Sequence, residues 1–430
     1  MTTPTTDYRL RISARQIVRV ATHGERVKTG KAMDDVEVLE HGTMIVGHDG
    51  KIVAVGPREE ISAAFAGKTF ETELDYKDQT IVPGLVDSHT HPVWSGDRVH
   101  EFKMKLAGAT YMEIHKSGGG IGFTVRHTRA SSEDELLQLF LARLKRMVRS
   151  GTVLVEAKSG YGLELDTELK MLKVIHRATQ VQKDIDIVAN YCGAHSVPPG
   201  STAEAATKDI IENQLPALAA AKADGQINPE QIDVFCEKGV FTTEQSKAIL
   251  EAGKKYGLTI NFHGDELHPT GSCEMGASIG ALAVSHVEHV SDAGIAEMAK
   301  AGTVAVLLPT TAYVLRIEPA PARKLIDSGV PVALGSDFNP NAHCLSMPFV
   351  MNLACVNMRM TLNEALTAAT INSAAALGKS STHGSLEAGK FADFLLINAE
   401  SWEHLIYEMV DPPISKVFKG GRVVYESTVE

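Results

Sequence analysis

The segment Asp87-Ser88-His89-Thr90-His91 sets two imidazoles two positions apart at the end of an apolar run, TIVPGLVDSHTH. Side chains alternate faces along a strand, so His89 and His91 project on one side, about 7 Å apart along the chain. Two imidazoles so placed can share one metal ion. Further along, His195, His263 and His286 each close another apolar run, Glu266 follows His263, and Asp337 ends VPVALGSD. One histidine at a strand end reads more readily as a hydrogen-bonded structural residue. The whole set reads as a site, because a random placement of 17 histidines would not favour such positions. Nitrogen and oxygen ligands without thiolate suit Zn²⁺ or Fe²⁺, and three or four protein ligands leave an open coordination position. His89, His91, His263 and Asp337 are the expected ligands of one ion. Such a cation lowers the pKa of its water and polarises a carbonyl, which permits hydrolysis near neutrality without a covalent nucleophile.

The elements that must position these groups are legible as eight strand-like runs: 80–91, 152–158, 186–195, 232–237, 258–266, 281–288, 303–309 and 330–338. Helical stretches separate several of them. Three begin with a Ser/Thr followed three residues later by Glu/Gln, the pattern that satisfies free amides at a helix start: Ser132 with Glu135, Thr242 with Gln245, Thr361 with Glu364. Eight strands alternating with helices predict an α/β fold, a (β/α)₈ TIM-like barrel with catalytic groups at the C-terminal strand ends. Both chain ends have a different, β-rich texture, as in GTMIVGHDGKIVAVG, where HDGK looks like a hairpin turn. The expected organisation is a small β-sandwich domain from 1–78 and 384–430 around a barrel of 79–383.

The ordered motifs carry a resemblance. VPGLVDSHTH, the stretch Gly389 to Asp393 and the strand-end His and Asp resemble the amidohydrolase superfamily. HPVWSGDRVHEF, KLAGATYMEIHKSGGGI, KSGYGLELDTELKML, YCGAHSVP, HGDELHP and LGSDFNPNA together are similar to its imidazolonepropionase family, across essentially the whole chain. The resemblance implies hydrolysis of 4-imidazolone-5-propanoate to N-formimidoyl-L-glutamate with one zinc or iron ion per subunit, in a cytoplasmic homodimer. It implies that Glu266 holds the ring and shuttles a proton, that His286 stabilises an oxyanion and that Asp337 accepts the proton of the attacking water. Arg98 matches the family's substrate-binding arginine, with Tyr161 and His195 as further donors and Tyr111 as a weaker candidate. Asn339 would hydrogen-bond the imidazolone or the formimidoyl group, with Asn341 and Ala342 lining it, although smaller or hydroxylated residues are usual at the last two positions.

Other signals exclude or leave open. The net charge of −11, from 42 basic and 53 acidic residues, and the absence of a Lys/Arg stripe argue against nucleic acid as a partner. No apolar run approaches the roughly 20 residues of a membrane helix, and the N-terminus lacks a signal-peptide layout, so a soluble intracellular protein is expected. Five cysteines without regular spacing suggest reduced thiols. Gly384 to Lys390 fits the GxxxxGK spacing of a phosphate loop, but Phe391 stands where a Ser/Thr should follow and Glu387 would face the phosphates. Gly118 to Gly120 reads equally as a hinge or a plain loop. His100, His115, His127, His268 and His289 read as structural or exposed. Lys158 and Glu237 leave a bridged second metal open, and a related heterocycle deaminase or a non-catalytic scaffold remain the alternative functions.

Overall fold

Two sheets share the chain in the computed structural model, which describes residues 6–108, 113 and 119–428. Tyr111, His115 and Gly118 lie outside the described residues. The first sheet comprises β1 (Tyr8–Arg19), β2 (Glu37–Glu40), β3 (Gly42–Val46), β4 (Ile52–Pro57) and β5 (Phe70–Pro83). It is completed, some 300 residues later in the chain, by β14 (Phe394–Ile397), β15 (Ile414–Lys419) and β16 (Arg422–Glu426). Between them run the barrel strands β6 (Leu85–Asp87), β7 (Thr152–Lys158), β8 (Asp186–Ala194), β9 (Gln231–Cys236), β10 (Thr259–Gly264), β11 (Ala283–His286), β12 (Val304–Leu307) and β13 (Val332–Leu334). Seven of the eight runs expected in the sequence contain one of these strands, and the eighth, 232–237, overlaps β9, which starts one residue earlier.

The barrel strands pair in parallel and in chain order from β6 to β13. Their apolar, β-branched character follows from burial on both faces, as in β7, where all seven residues are buried. Closure is made just beyond β6 and β13: Asp337 N–H donates to His89 C=O at 3.0 Å, and His91 N–H donates to Phe338 C=O at 2.9 Å. Asp87 reinforces it by accepting from the backbone N–H and the hydroxyl of Ser336 at 2.9 and 2.5 Å. All three capping boxes form, heading helices Glu133–Arg149, Thr243–Lys255 and Leu362–Thr367.

The terminal sheet runs β16-β15-β14-β5-β1-β3-β4 with β2 on β1, and His48 to Lys51 form the turn between β3 and β4. Strand alternation divides its side chains between two cores. Phe394 and Leu396 join Leu10, Ile12 and Ile81 in the sheet's own core, while Leu395, Ile397 and Val82 pack into the barrel's. A charged cluster also ties the parts together, with Lys419 Nζ donating to Asp186 at 2.6 Å and to Asp393 at 2.5 Å. The GxxxxGK segment belongs to this structural region: buried Lys390 is bonded to Ser385 Oγ at 2.6 Å and paired with Glu387 at 3.0 Å. The five cysteines are free. Among the described residues no helix is long and apolar enough to cross a membrane.

Closure brings β6 and β13 so close that a Cβ at Gly335 would lie 2.8 Å from His89 Cβ and 3.1 Å from His89 N. Gly335→Ala is therefore expected to destabilise the fold by about 1–3 kcal/mol, the usual cost of overpacking, seen as a lowered thermal midpoint. An unchanged midpoint would show that the two strands separate freely.

Candidate active site

The barrel's C-terminal rim gathers the histidines because each barrel strand ends there. His89 and His91 follow β6, His195 follows β8, His263 sits in β10 and His286 ends β11, while Asp337 stands three residues past β13. All are buried. His91 Nε2 and His263 Nε2 are 3.1 Å apart, and Asp337 Oδ1 lies 3.6 Å from His89 Nε2 and 3.7 Å from His91 Nε2. His286 and Asp337 adopt left-handed backbone conformations, φ +79° and +46°. Such conformations cost about 1–3 kcal/mol each and persist only where surrounding structure imposes them.

These residues fit a cation. Both ring nitrogens of His89 are buried without a hydrogen-bond partner, an arrangement that is costly unless a ligand satisfies it. Asp233 Oδ1 takes the Nδ1 proton of His263 at 2.7 Å, which leaves His263 Nε2 as a lone pair facing His91. Burial drives His89, His91 and His263 well below the ordinary histidine range, so the rings stay neutral and able to ligate. His89, His91 and Asp337 form one group whose ligand atoms lie within 4.8 Å of one another, and His263 joins His89 and His286 in a second.

The cavity over this cluster has a volume of about 370 Å³, sized for a small molecule. Glu266 and His286 face each other in its wall, 3.5 Å apart. Burial pushes Glu266 up to about 8, against the pull of His286. For His286 burial opposes the charge, but Glu266 and Glu288 outweigh it and raise the ring to about 10. Glu266 is held in place by its neighbour: Asp265 accepts from the backbone N–H groups of Thr270, Gly271 and Cys273 at 2.7, 3.1 and 3.1 Å, tying the loop to the barrel.

Of the other residues expected in the site, Arg98, Tyr161, His195, Asn339 and Asn341 line the same cavity. Arg98 Nη2 donates to buried Glu101 at 2.7 Å, and its buried Nε has no partner among the described residues. His195 Nδ1 is anchored to Gly160 C=O at 3.0 Å. Gly160 is required there: its φ is +101°, and a Cβ would meet Cys192 O at 2.9 Å. Burial lowers His195 to about 4. Asn339 also shapes its own loop: Nδ2 donates to Asp337 C=O at 2.8 Å and Oδ1 accepts from Asn341 and Ala342 N–H at 2.7 and 3.0 Å, which leaves the second N–H of Nδ2 as the donor it can offer a ligand. Ala342 is buried behind that loop and does not line the cavity.

Sequence reasoning missed several neighbours. Glu101 and Lys105 lie on helix Val99–Leu106, where Lys105 Nζ donates to Asn341 Oδ1, and Thr311 Oγ1 donates to Asp337. Asp233 was visible only as a lone charge inside the apolar run IDVFC. Glu237, one of the two possible bridges to a second metal, instead accepts from Leu267 N–H at 2.9 Å and bonds His268 Nδ1 at 2.8 Å. Lys158, the other, is paired with Glu156 and Asp233.

Comparison with known proteins agrees with this geometry. The model of the amidohydrolase family matches residues 80–424. A probable imidazolonepropionase of Mus musculus is 58% identical over 429 residues, covering 98% of this chain and 100% of the mouse protein. Its counterpart in Homo sapiens is 57% identical over 421 residues, covering 96% and 98%. Among solved structures, E. coli guanine deaminase superposes with a TM-score of 0.69 at 17% identity, covering 97% of this chain and 99% of its own. An adenosine deaminase from Xanthomonas campestris gives 0.71 at 17% identity, covering 98% and 93%. The deaminases share the fold; the far higher identity lies with the other group. The chain belongs to the amidohydrolase family, in its imidazolonepropionase branch.

Proposed function

We propose that the protein hydrolyses 4-imidazolone-5-propanoate to N-formimidoyl-L-glutamate, a step of histidine degradation. The observation that carries this reading is the pairing, in one cavity, of a neutral imidazole cluster beside Asp337 with the guanidinium of Arg98, whose Nε is buried without a partner among the described residues. The first is suited to a metal and the second to a carboxylate; a nucleobase deaminase has no need of the second. His89, His91, His263 and Asp337 would hold one zinc or iron ion. When bound, such an ion lowers the pKa of water and polarises the ring carbonyl.

The chain's own groups carry the rest. Asp337 accepts the proton of the attacking water as oxygen adds to the carbonyl carbon. His286, held positive by Glu288 and facing Glu266, stabilises the developing oxyanion. The ring C–N bond then breaks and the carbonyl carbon becomes a carboxylate. Glu266 supplies the proton to the departing nitrogen, and burial keeps it protonated near neutrality. Arg98, with Tyr161 and His195, binds the propanoate, while Asn339, Asn341 and Ala342 shape the loop beside the ring. The same reading carries a cytoplasmic homodimer. For the dimer alone, the support is apolar surface at Tyr313, Val356 and Tyr407, 63%, 70% and 77% exposed on contacting helices.

The direct test is turnover of freshly generated substrate before and after chelation, with metal determined on the same sample. N-formimidoyl-L-glutamate should form, formation should stop on chelation, and stoichiometric metal should be present; a fully metallated protein without turnover contradicts the reading. Glu266→Gln should keep its metal while kcat falls about 10²- to 10⁴-fold, the weight of one general acid–base group; full activity would remove Glu266 from the mechanism. Arg98→Met should raise KM about 10- to 100-fold, the value of a charge-assisted hydrogen bond, and an unchanged KM would place the carboxylate elsewhere.

A further inference from the structure

Below the imidazoles, inside the barrel, lies a lysine that the reaction does not use. Lys158 ends β7, is fully buried, and donates from Nζ to Glu156 Oε1 at 2.8 Å and to Asp233 Oδ2 at 2.6 Å. The second oxygen of Asp233 receives the ring Nδ1–H of His263 at 2.7 Å and its backbone N–H at 3.2 Å. Glu156 is held independently, since Asn190 and Asn261 donate to its Oε1 at 2.6 and 3.1 Å. Asp233 is anchored otherwise: its Oδ1 is taken up by His263 itself, and among the described residues the Lys158 ammonium is the one donor to Oδ2. Without it Oδ2 is a buried oxygen with no donor, and Asp233, the acceptor that sets the tautomer and tilt of His263, keeps bonds only to the residue it has to position.

We infer that Lys158 is a positioning residue for the metal centre, acting through Asp233 to aim His263 Nε2 at the other ligands. The inference rests on the single-metal reading above. It also accounts for a lysine at a strand end without a bridging role. An ammonium held by two carboxylates has no free lone pair with which to add carbon dioxide, so Lys158 does not become a metal-bridging carbamate. Asp233 and Glu156 hold Lys158 above its ordinary range although burial opposes the charge. Ligand-supporting groups of this kind are commonly worth about 10- to 100-fold in metal affinity.

The test is the dissociation constant for Zn²⁺, measured on stripped full-length protein by competition with a chromophoric chelator, with the visible spectrum of the Co²⁺ form as a geometric readout. Removing Lys158 alone would leave two carboxylates facing each other, so the informative variant is E156Q/K158M, which keeps the cluster's net charge; E156Q/K158Q serves if that chain does not fold. E156Q alone should bind zinc as the parent does. E156Q/K158M should bind about 10- to 100-fold more weakly, with a shifted Co²⁺ spectrum, and should add nothing further in a D233N background. Zinc affinity and spectrum equal to those of E156Q, or losses that add to those of D233N, would overturn the inference. Failure of the parent protein to bind zinc or cobalt stoichiometrically would instead sink the metal reading on which it rests.

Discussion

The rim depends on the contact that closes the barrel. The backbone of Asp337 bonds that of His89, and Phe338 bonds His91, so the bonds joining the first barrel strand to the last run through metal-ligand candidates. Closure and site assembly are therefore one event: with β6 and β13 apart, Asp337 could not lie within 4 Å of His89 and His91. Gly335 and the Asp87–Ser336 pair serve that contact, the first by leaving room and the second by supplying hydrogen bonds between the strand ends. Left-handed backbone at His286 and Asp337 is the local cost, tolerated because the strands on either side are pinned in the sheet.

A second constraint is burial. Histidines, carboxylates and a lysine sit together where water is scarce, and their protonation follows from their partners. Three imidazoles are held neutral by burial, with Lys158 and the neighbouring histidines adding to it, which suits ligands. His286, between Glu266 and Glu288, is held positive, which suits an oxyanion. One side-chain type thus serves two roles, set by which acids stand beside it. The Lys158 cluster extends the same logic below the rim.

The strands and the strand-end histidines were legible because both rest on short-range patterns: β-branched runs of fixed length, and ligand side chains where those runs stop. The capping boxes at Ser132, Thr242 and Thr361 were legible for the same reason. Residues that act through a third group were not. Asp233 matters because Lys158 and His263 meet it from different strands, and nothing in IDVFC announces that. Asn339 was read as a substrate contact; that its Oδ1 and one N–H also hold its own loop together is a competition between side chain and backbone that spacing does not reveal. Likewise Glu101 shows in the sequence only as a neighbour of Arg98, although in the fold it also receives Gly120 N–H at 2.8 Å.

We propose that barrel closure builds a mononuclear centre from three imidazoles and one carboxylate. X-ray absorption at the edge of the metal retained by the purified protein tests it most directly. Such a centre gives nitrogen and oxygen scatterers with an imidazole signature, about 2.0–2.2 Å from the ion for zinc, with neither sulfur nor a second metal. A metal–metal vector near the roughly 3.5–4 Å of two-metal sites, or a sulfur ligand, would contradict it.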